Sequence, residues 1–158
     1  MSRHILVPLD GSRLAERALE EAERLVNAGD KITLLTVVPV PEIPIYDFYP
    51  MPMTVVQDYE AGMNDALPYA QEYLERIATT LREKLNLSVN VMVELGEPHT
   101  IICTTAEKLN VDMIVMSTHG RSGLNRWLFG SVTFKVLSGA SCPVVVISNR
   151  CKGREQVG

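Results

Sequence analysis

Five short apolar runs alternate with segments whose apolar residues recur every three or four positions, and that alternation decides what this chain can fold into. The runs are Ile5–Val7, Lys31–Val38, Val89–Val93, Met113–Met116 and Pro143–Ile147. After the first, Ala15, Ala18, Leu19, Ala22, Leu25 and Val26 fall on one helical face, with Glu16, Arg17, Glu20, Glu21, Glu23 and Arg24 between them. Later segments do the same with Tyr73, Leu74, Ile77, Ala78, Leu81 and Leu85, and with Ile101, Ile102, Thr105, Ala106 and Leu109. Strands alternating with helices predict a parallel sheet joined by right-handed crossovers, with helices on both faces. The apolar first, fourth and fifth runs suit strands buried on both sides. The expected fold class is α/β: a single five-stranded parallel sheet, order 3-2-1-4-5.

The punctuation agrees. Asp10 and Ser12 are both N-cap candidates for the first helix, and Gly29 suits a left-handed cap after it. Pro98 suits the first turn of the third helix, and Asn110 its end. A short helix-compatible segment, Val132–Leu137, follows Gly130-Ser131 and is capped by Gly139. Five prolines from Pro39 to Pro52 forbid a regular helix or central strand there. The periodicity stays weak to Met63, so residues 39–66 read as a Pro-rich loop insertion, and the strong helical pattern starts at Leu67 or Tyr69. Tyr46, Phe48, Tyr49, Met51 and Met53 make that insertion too apolar for a plain linker, which suggests a lid or contact surface. Tyr73 reads as a core residue.

At 158 residues the chain fits one domain, with a core over 3–148 and a polar tail at 149–158. A formal charge of -4 argues against nucleic acid as a main partner, since domains that hold it carry a basic surface. No apolar run nears the roughly 20 residues that cross a bilayer. The opening residues run straight into the first strand, too short and too soon broken to be a signal peptide, so the expected place is the cytoplasm. Cys103, Cys142 and Cys151 are too far apart for a disulfide framework or a metal pair, and Cys103 and Cys142 read as structural.

The segment after the fourth run concentrates the chemistry. From Thr118 to Lys135 there is no acidic residue, while Arg121, Arg126 and Lys135 are basic. Small residues there let backbone N–H groups close on an anion, and the helix starting near Ser131 adds free amides and a positive dipole end. In an order 3-2-1-4-5 sheet, ligands sit where the strand order reverses, between strands one and four. Asp10 then stands across from the loop, suited to ribose hydroxyls. Ser131 can meet a phosphate or cap its own helix. His119, Arg121 and Arg126 can face the ligand or solvent. Neither the P-loop pattern nor the dinucleotide-binding glycine pattern occurs, and no metal cluster or nucleophile–base grouping is evident.

The ending Pro8-Leu9-Asp10, the spacing Ser117-x-x-Gly120, nine residues, Gly130-Ser131, and the closing Cys142-Pro-Val-Val-Val-Ile147 together resemble the universal stress protein family. The resemblance spans Ile5 to Ile147. Ser117 stands where the ATP-binding branch has its first glycine. The resemblance implies a Rossmann-like, adenine nucleotide alpha hydrolase-like fold and ATP as ligand, possible Mg²⁺ being held by phosphates and water. It implies that Asp10 holds the ribose beside Pro8 and Leu9. Val37 or Val38 would meet the adenine through backbone, and Met116 and Ser117 would line sugar and base. His119, Gly120 and Arg121 would approach the phosphates, and Gly130, Ser131, Val132 and Thr133 would bind them at the helix entrance. It also implies a homodimer through the last strand, Val144 to Ile147, an edge that needs cover. The expected role is a stress-response sensor or regulator. Hydrolysis should be slow, since no general base stands beside the loop. A weak ATPase assisted by His119 or Asp10, and a non-nucleotide interaction module of the same fold, are the alternatives.

Overall fold

The computed structural model describes residues 2–40, 53–118 and 130–148, without the side chains of Val55, Val56 and Tyr59. Five strands form one parallel sheet: β1 (His4–Pro8), β2 (Lys31–Val38), β3 (Ser88–Leu95), β4 (Met113–Ser117) and β5 (Val144–Ile147). The order is β3-β2-β1-β4-β5, the order expected. The helices are α1 (Arg13–Leu25), α2 (Met53–Leu85), α3 (Pro98–Lys108) and α4 (Ser131–Gly139).

Strand alternation sorts the apolar side chains into two cores. Ile5, Val7, Ile32, Leu34, Val89 and Val115 point to one face, where they meet α1 through Ala15, Ala18, Leu19 and Ala22, and α2 through Leu74, Ala78 and Leu81. Leu6, Leu35, Ile114 and Met116 point to the other, against Ile102 and Ala106 of α3 and Val136 of α4. Travel along the sheet reverses after β3, so crossovers of one hand put the first two helices on one face and the last two on the other. Tyr73 packs at the edge of the first core. Cys103 and Cys142 pack at the edge of the second and are half-buried.

Several boundaries differ from the sequence reading. Helix α2 starts at Met53, so residues 53–66, read as loop, are helical. Most of that first half is exposed, and a helix lying in solvent needs no apolar stripe to betray it. Pro68 sits inside α2, where it removes one helical N–H. Of the two cap candidates for α1, Ser12 is the N-cap: its hydroxyl accepts from the Ala15 N–H at 3.1 Å. Asp10 instead accepts from the Ser12 N–H at 3.0 Å. Gly29 does have φ +90°, but it lies in the turn beyond the helix, which ends at Leu25. Gly139 is the last residue of α4 and Ala140 the C-cap. Most of the Pro-rich segment, the tail and Cys151 lie outside the described residues.

The central strand also fixes where the sheet opens. Lys31 N–H donates to Arg3 C=O, and Leu9 N–H to Leu35 C=O, both at 2.8 Å. Odd residues of β1 therefore pair with β2, and even residues face β4. Pro8 is even and has no N–H to give. Pairing with β4 is registered only at Ile5↔Met113 and Leu6↔Ile114. The two central strands thus part at their carboxyl ends.

At the opposite end of the sheet, buried Asp30 accepts N–H bonds from Arg3 at 2.8 Å and Asn27 at 2.9 Å, and the Arg3 guanidinium at 2.9 Å. The Arg3 and Asn27 amides, with the Arg3 charge, hold its carboxyl below the usual range despite burial. A depressed folded pKa stabilises the fold above the unfolded value, about 3.9, and the contribution fades as pH falls through the lower folded value. Asp30→Ala should cost about 2–4 kcal/mol at neutral pH, because it strands a part-buried guanidinium and two amides. Urea unfolding at pH 7 and pH 3 checks this: the deficit should shrink at the lower pH.

Candidate functional site

A cavity of about 240 Å³ lies where β1 and β4 part. Its rim on one side is Pro8, Leu9 and Asp10, at the end of β1, with Ala15 of α1 beside them. On the other side are Met116 and Ser117 of β4, and Val132 and Thr133 of α4. Leu35, Val37 and Pro39 of β2 and its exit form the third wall, and Pro98 and Ile102 of α3 close the fourth. Aliphatic and proline carbons dominate this lining, which suits a flat apolar group with a few polar anchors at the ends.

Among the described residues, the β2 wall carries a backbone N–H and C=O that no neighbouring strand takes up. Alternation makes residues 31, 33, 35 and 37 face β1, and Val38 face β3, where its carbonyl accepts from the Gly96 N–H at 3.1 Å. Leu9 N–H meets Leu35 C=O, and the Leu9 carbonyl takes the Thr36 hydroxyl at 2.9 Å. Beyond that point β1 has ended, so the N–H and C=O of Val37 face the cavity side. Of the two candidates for backbone recognition, Val37 lines the cavity and Val38 is committed to the sheet.

Helix α4 supplies the polar end. Gly130 is its N-cap with φ -63° and ψ 161°, and among the described residues no side chain caps it. No acidic residue stands in its first turn. The amides of Ser131, Val132 and Thr133 are therefore the first-turn donors, with the positive end of the helix dipole behind them. The Ser131 side chain is exposed and does not cap the helix. The Thr133 hydroxyl donates to the Ser117 carbonyl at 3.3 Å, so only its amide is left for a ligand.

Tyr73 approaches the Asp10 side from α2. Burial pushes its phenol up to about 12, and the Glu16 and Asp10 carboxylates push the same way, so it stays neutral at working pH. Among the described residues no three His, Cys, Asp or Glu side chains gather as a metal ion's ligands would. None of the described helices is long and apolar enough to cross a membrane.

Of the residues singled out in the sequence, Pro8, Leu9, Asp10, Val37, Met116, Ser117, Val132 and Thr133 line the cavity, with Gly130 and Ser131 at its α4 end. His119, Gly120 and Arg121 lie outside the described residues. The sequence reading missed the α3 wall, because Ile102 carries the same helical periodicity as any core residue. It did not foresee the bond of Thr118, whose hydroxyl accepts from the Gly130 N–H at 3.2 Å.

The sequence pattern of the universal stress protein family matches residues 1–148. The chain belongs to the universal stress protein family. It is 30% identical over 158 residues to universal stress protein MJ0577 of Methanocaldococcus jannaschii, covering 95% of this chain and 97% of that one. The solved structure of MJ0577 superposes with a TM-score of 0.79 at 29% identity, over 96% of this chain and 99% of the other. A Lactobacillus plantarum universal stress protein gives 0.62 at 25% identity, over 92% and 97%. An Arabidopsis thaliana member, solved with AMP bound, gives 0.60 at 18% identity over 94% and 93%, a likeness of fold. The cavity of this universal stress protein is thus the strand-reversal crevice of a Rossmann-like α/β fold.

Ile102→Ala tests how enclosed the α3 wall is. A fully packed isoleucine costs about 2–5 kcal/mol on truncation. Ile102 is buried but already borders open space, so the loss should fall near 2 kcal/mol in denaturant unfolding. A loss above about 4 kcal/mol would mean the side chain is walled in by packing rather than facing the cavity.

Proposed function

We infer that this universal stress protein binds ATP in the crevice between β1 and β4 and acts as a homodimeric, cytoplasmic sensor or regulator in stress responses, with slow hydrolysis at most. The observation that carries the reading is one arrangement: an apolar cavity with a carboxylate at one rim and an uncapped helix N-terminus at the other. The apolar walls suit a purine. The Val37 backbone offers a donor and an acceptor side by side at the edge of such a ring. Asp10 at the rim suits the ribose hydroxyls, which its carboxylate can accept from. The amides of Ser131, Val132 and Thr133 suit the phosphates, along with Gly120, Arg121 and His119 of the preceding loop. A cavity of about 240 Å³ suits a base and sugar, with the triphosphate directed toward α4. The AMP bound to the Arabidopsis relative supports the same choice of ligand class. Mg²⁺ would be carried by phosphates and water.

The purified protein, once denatured, should release an adenine nucleotide identifiable by mass spectrometry, and stripped protein should bind ATP in calorimetry. No released nucleotide and no binding up to millimolar ATP would sink the reading. Asp10→Ala should weaken ATP by about tenfold or more, the worth of hydrogen bonds to a charged group, while free adenine binds unchanged.

Dimerisation through β5 has its own test. Ile114 N–H donates to Pro143 C=O, and Thr118 N–H to Ile147 C=O, both at 3.0 Å, so odd residues of β5 face β4 and Val146 faces outward. Val146→Pro removes an outward N–H and leaves the β4 ladder intact. It should turn a dimer into a folded monomer in light scattering; a dimer that persists would exclude that edge.

A further inference from the structure

The first turn of α4 is fastened to the end of β4 by two buried hydroxyls. Thr118 Oγ1 accepts from the Gly130 N–H at 3.2 Å, and Thr133 Oγ1 donates to the Ser117 carbonyl at 3.3 Å. The side chains are almost fully buried, with the residues 1% and 3% exposed. The Thr118 N–H is itself tied to Ile147 C=O at 3.0 Å, so the anchor point is held by β5. One bond enters the helix at its N-cap and the other leaves from the third helical residue. Two bonds at different points fix the helix against rotation as well as withdrawal.

We propose that the hydroxyls of Thr118 and Thr133 are positioning groups for the triphosphate: they set the direction of the Ser131, Val132 and Thr133 amides without themselves touching the ligand. The proposal rests on the nucleotide reading above. Amide donors stabilise an anion only when aimed at it beforehand. Helix α4 has only nine residues and no side-chain cap, so little within the helix itself holds its first turn. Breaking a buried hydrogen bond is costly, so the Gly130–Thr118 and Thr133–Ser117 bonds both favour α4 docked in this orientation.

The test is the full chain, stripped of nucleotide, titrated with ATP and separately with adenosine. Thr118→Val keeps the shape and loses the acceptor; Thr118→Ser keeps the acceptor. Expected is an ATP affinity about tenfold lower in Thr118→Val with adenosine within about twofold of the parent, and recovery in Thr118→Ser. Thr133→Val should give the same split and serves if Thr118→Val does not fold. A parent that binds ATP, with variants that keep its ATP-to-adenosine ratio, would overturn the positioning role and leave the nucleotide reading intact. Tighter ATP binding by Thr118→Val would also overturn it, because the hydroxyl would then be a competitor of phosphate for Gly130. A parent that binds neither compound overturns both.

Discussion

Backbone pairing that stops at the carboxyl end of β1 is the constraint on which this end of the molecule depends. A strand in the middle of a parallel sheet normally gives every N–H and C=O to a neighbour. Here Pro8 has no N–H on the β4 side, and the register with β4 closes at Leu6↔Ile114. The strands part, and the space between them is lined by the residues that follow. On the β2 side the same ending leaves Val37 facing a strand that is no longer there. The cavity is thus a consequence of ladder termination.

Helix α4 completes the crevice because it begins where β4 stops and has no side-chain cap of its own. Most helices satisfy their first turn with a Ser, Thr, Asp or Asn at the N-cap, as α1 does with Ser12. α3 does so with Glu97, whose carboxylate accepts from the Thr100 N–H at 3.0 Å. Gly130 declines that role. Ser131 is one position too late to serve as N-cap, and the Thr133 hydroxyl is spent on Ser117. The contrast among three helices of one fold argues that the bare terminus of α4 is a feature of the site. The hydroxyls that might have capped it hold the helix in place from outside.

Much of this was legible in the sequence because the physics involved is local. The wholly apolar run Ile5–Val7 marked a strand buried on both faces, and helical spacing marked Ala15, Ala18, Leu19 and Ala22. Strand–helix alternation then implied a parallel sheet, and with the order 3-2-1-4-5 the reversal point brings Asp10 opposite Met116 and Ser117. What was hidden depended on tertiary context. The first half of α2 lies in solvent, so it shows no stripe. The α3 wall looks like core, since Ile102 is buried whether its neighbour is a side chain or a cavity. The choice between Val37 and Val38 needs the pairing parity of β2, which no composition reveals. Thr118 becomes visible only when Gly130 is brought back beside it across the sequence between them.

Ser117 shows how the structure changes the meaning of a departure from pattern. A glycine at the first position of the family's loop could be there for its backbone freedom or for its missing side chain. The described non-glycine residues with positive φ are Asn86 and Asn110, and Ser117 is not among them. It is the last residue of β4, paired with Ile147 in ordinary strand geometry. Glycine's conformational reach is therefore not needed there. What a serine adds is a Cβ and a hydroxyl on the cavity wall, while its carbonyl still takes the Thr133 hydroxyl. The replacement leaves the strand and the α4 anchor as they are and narrows the wall by one small polar group. Its effect belongs to the shape of whatever fills the crevice, and not to the folding of the loop's first residue.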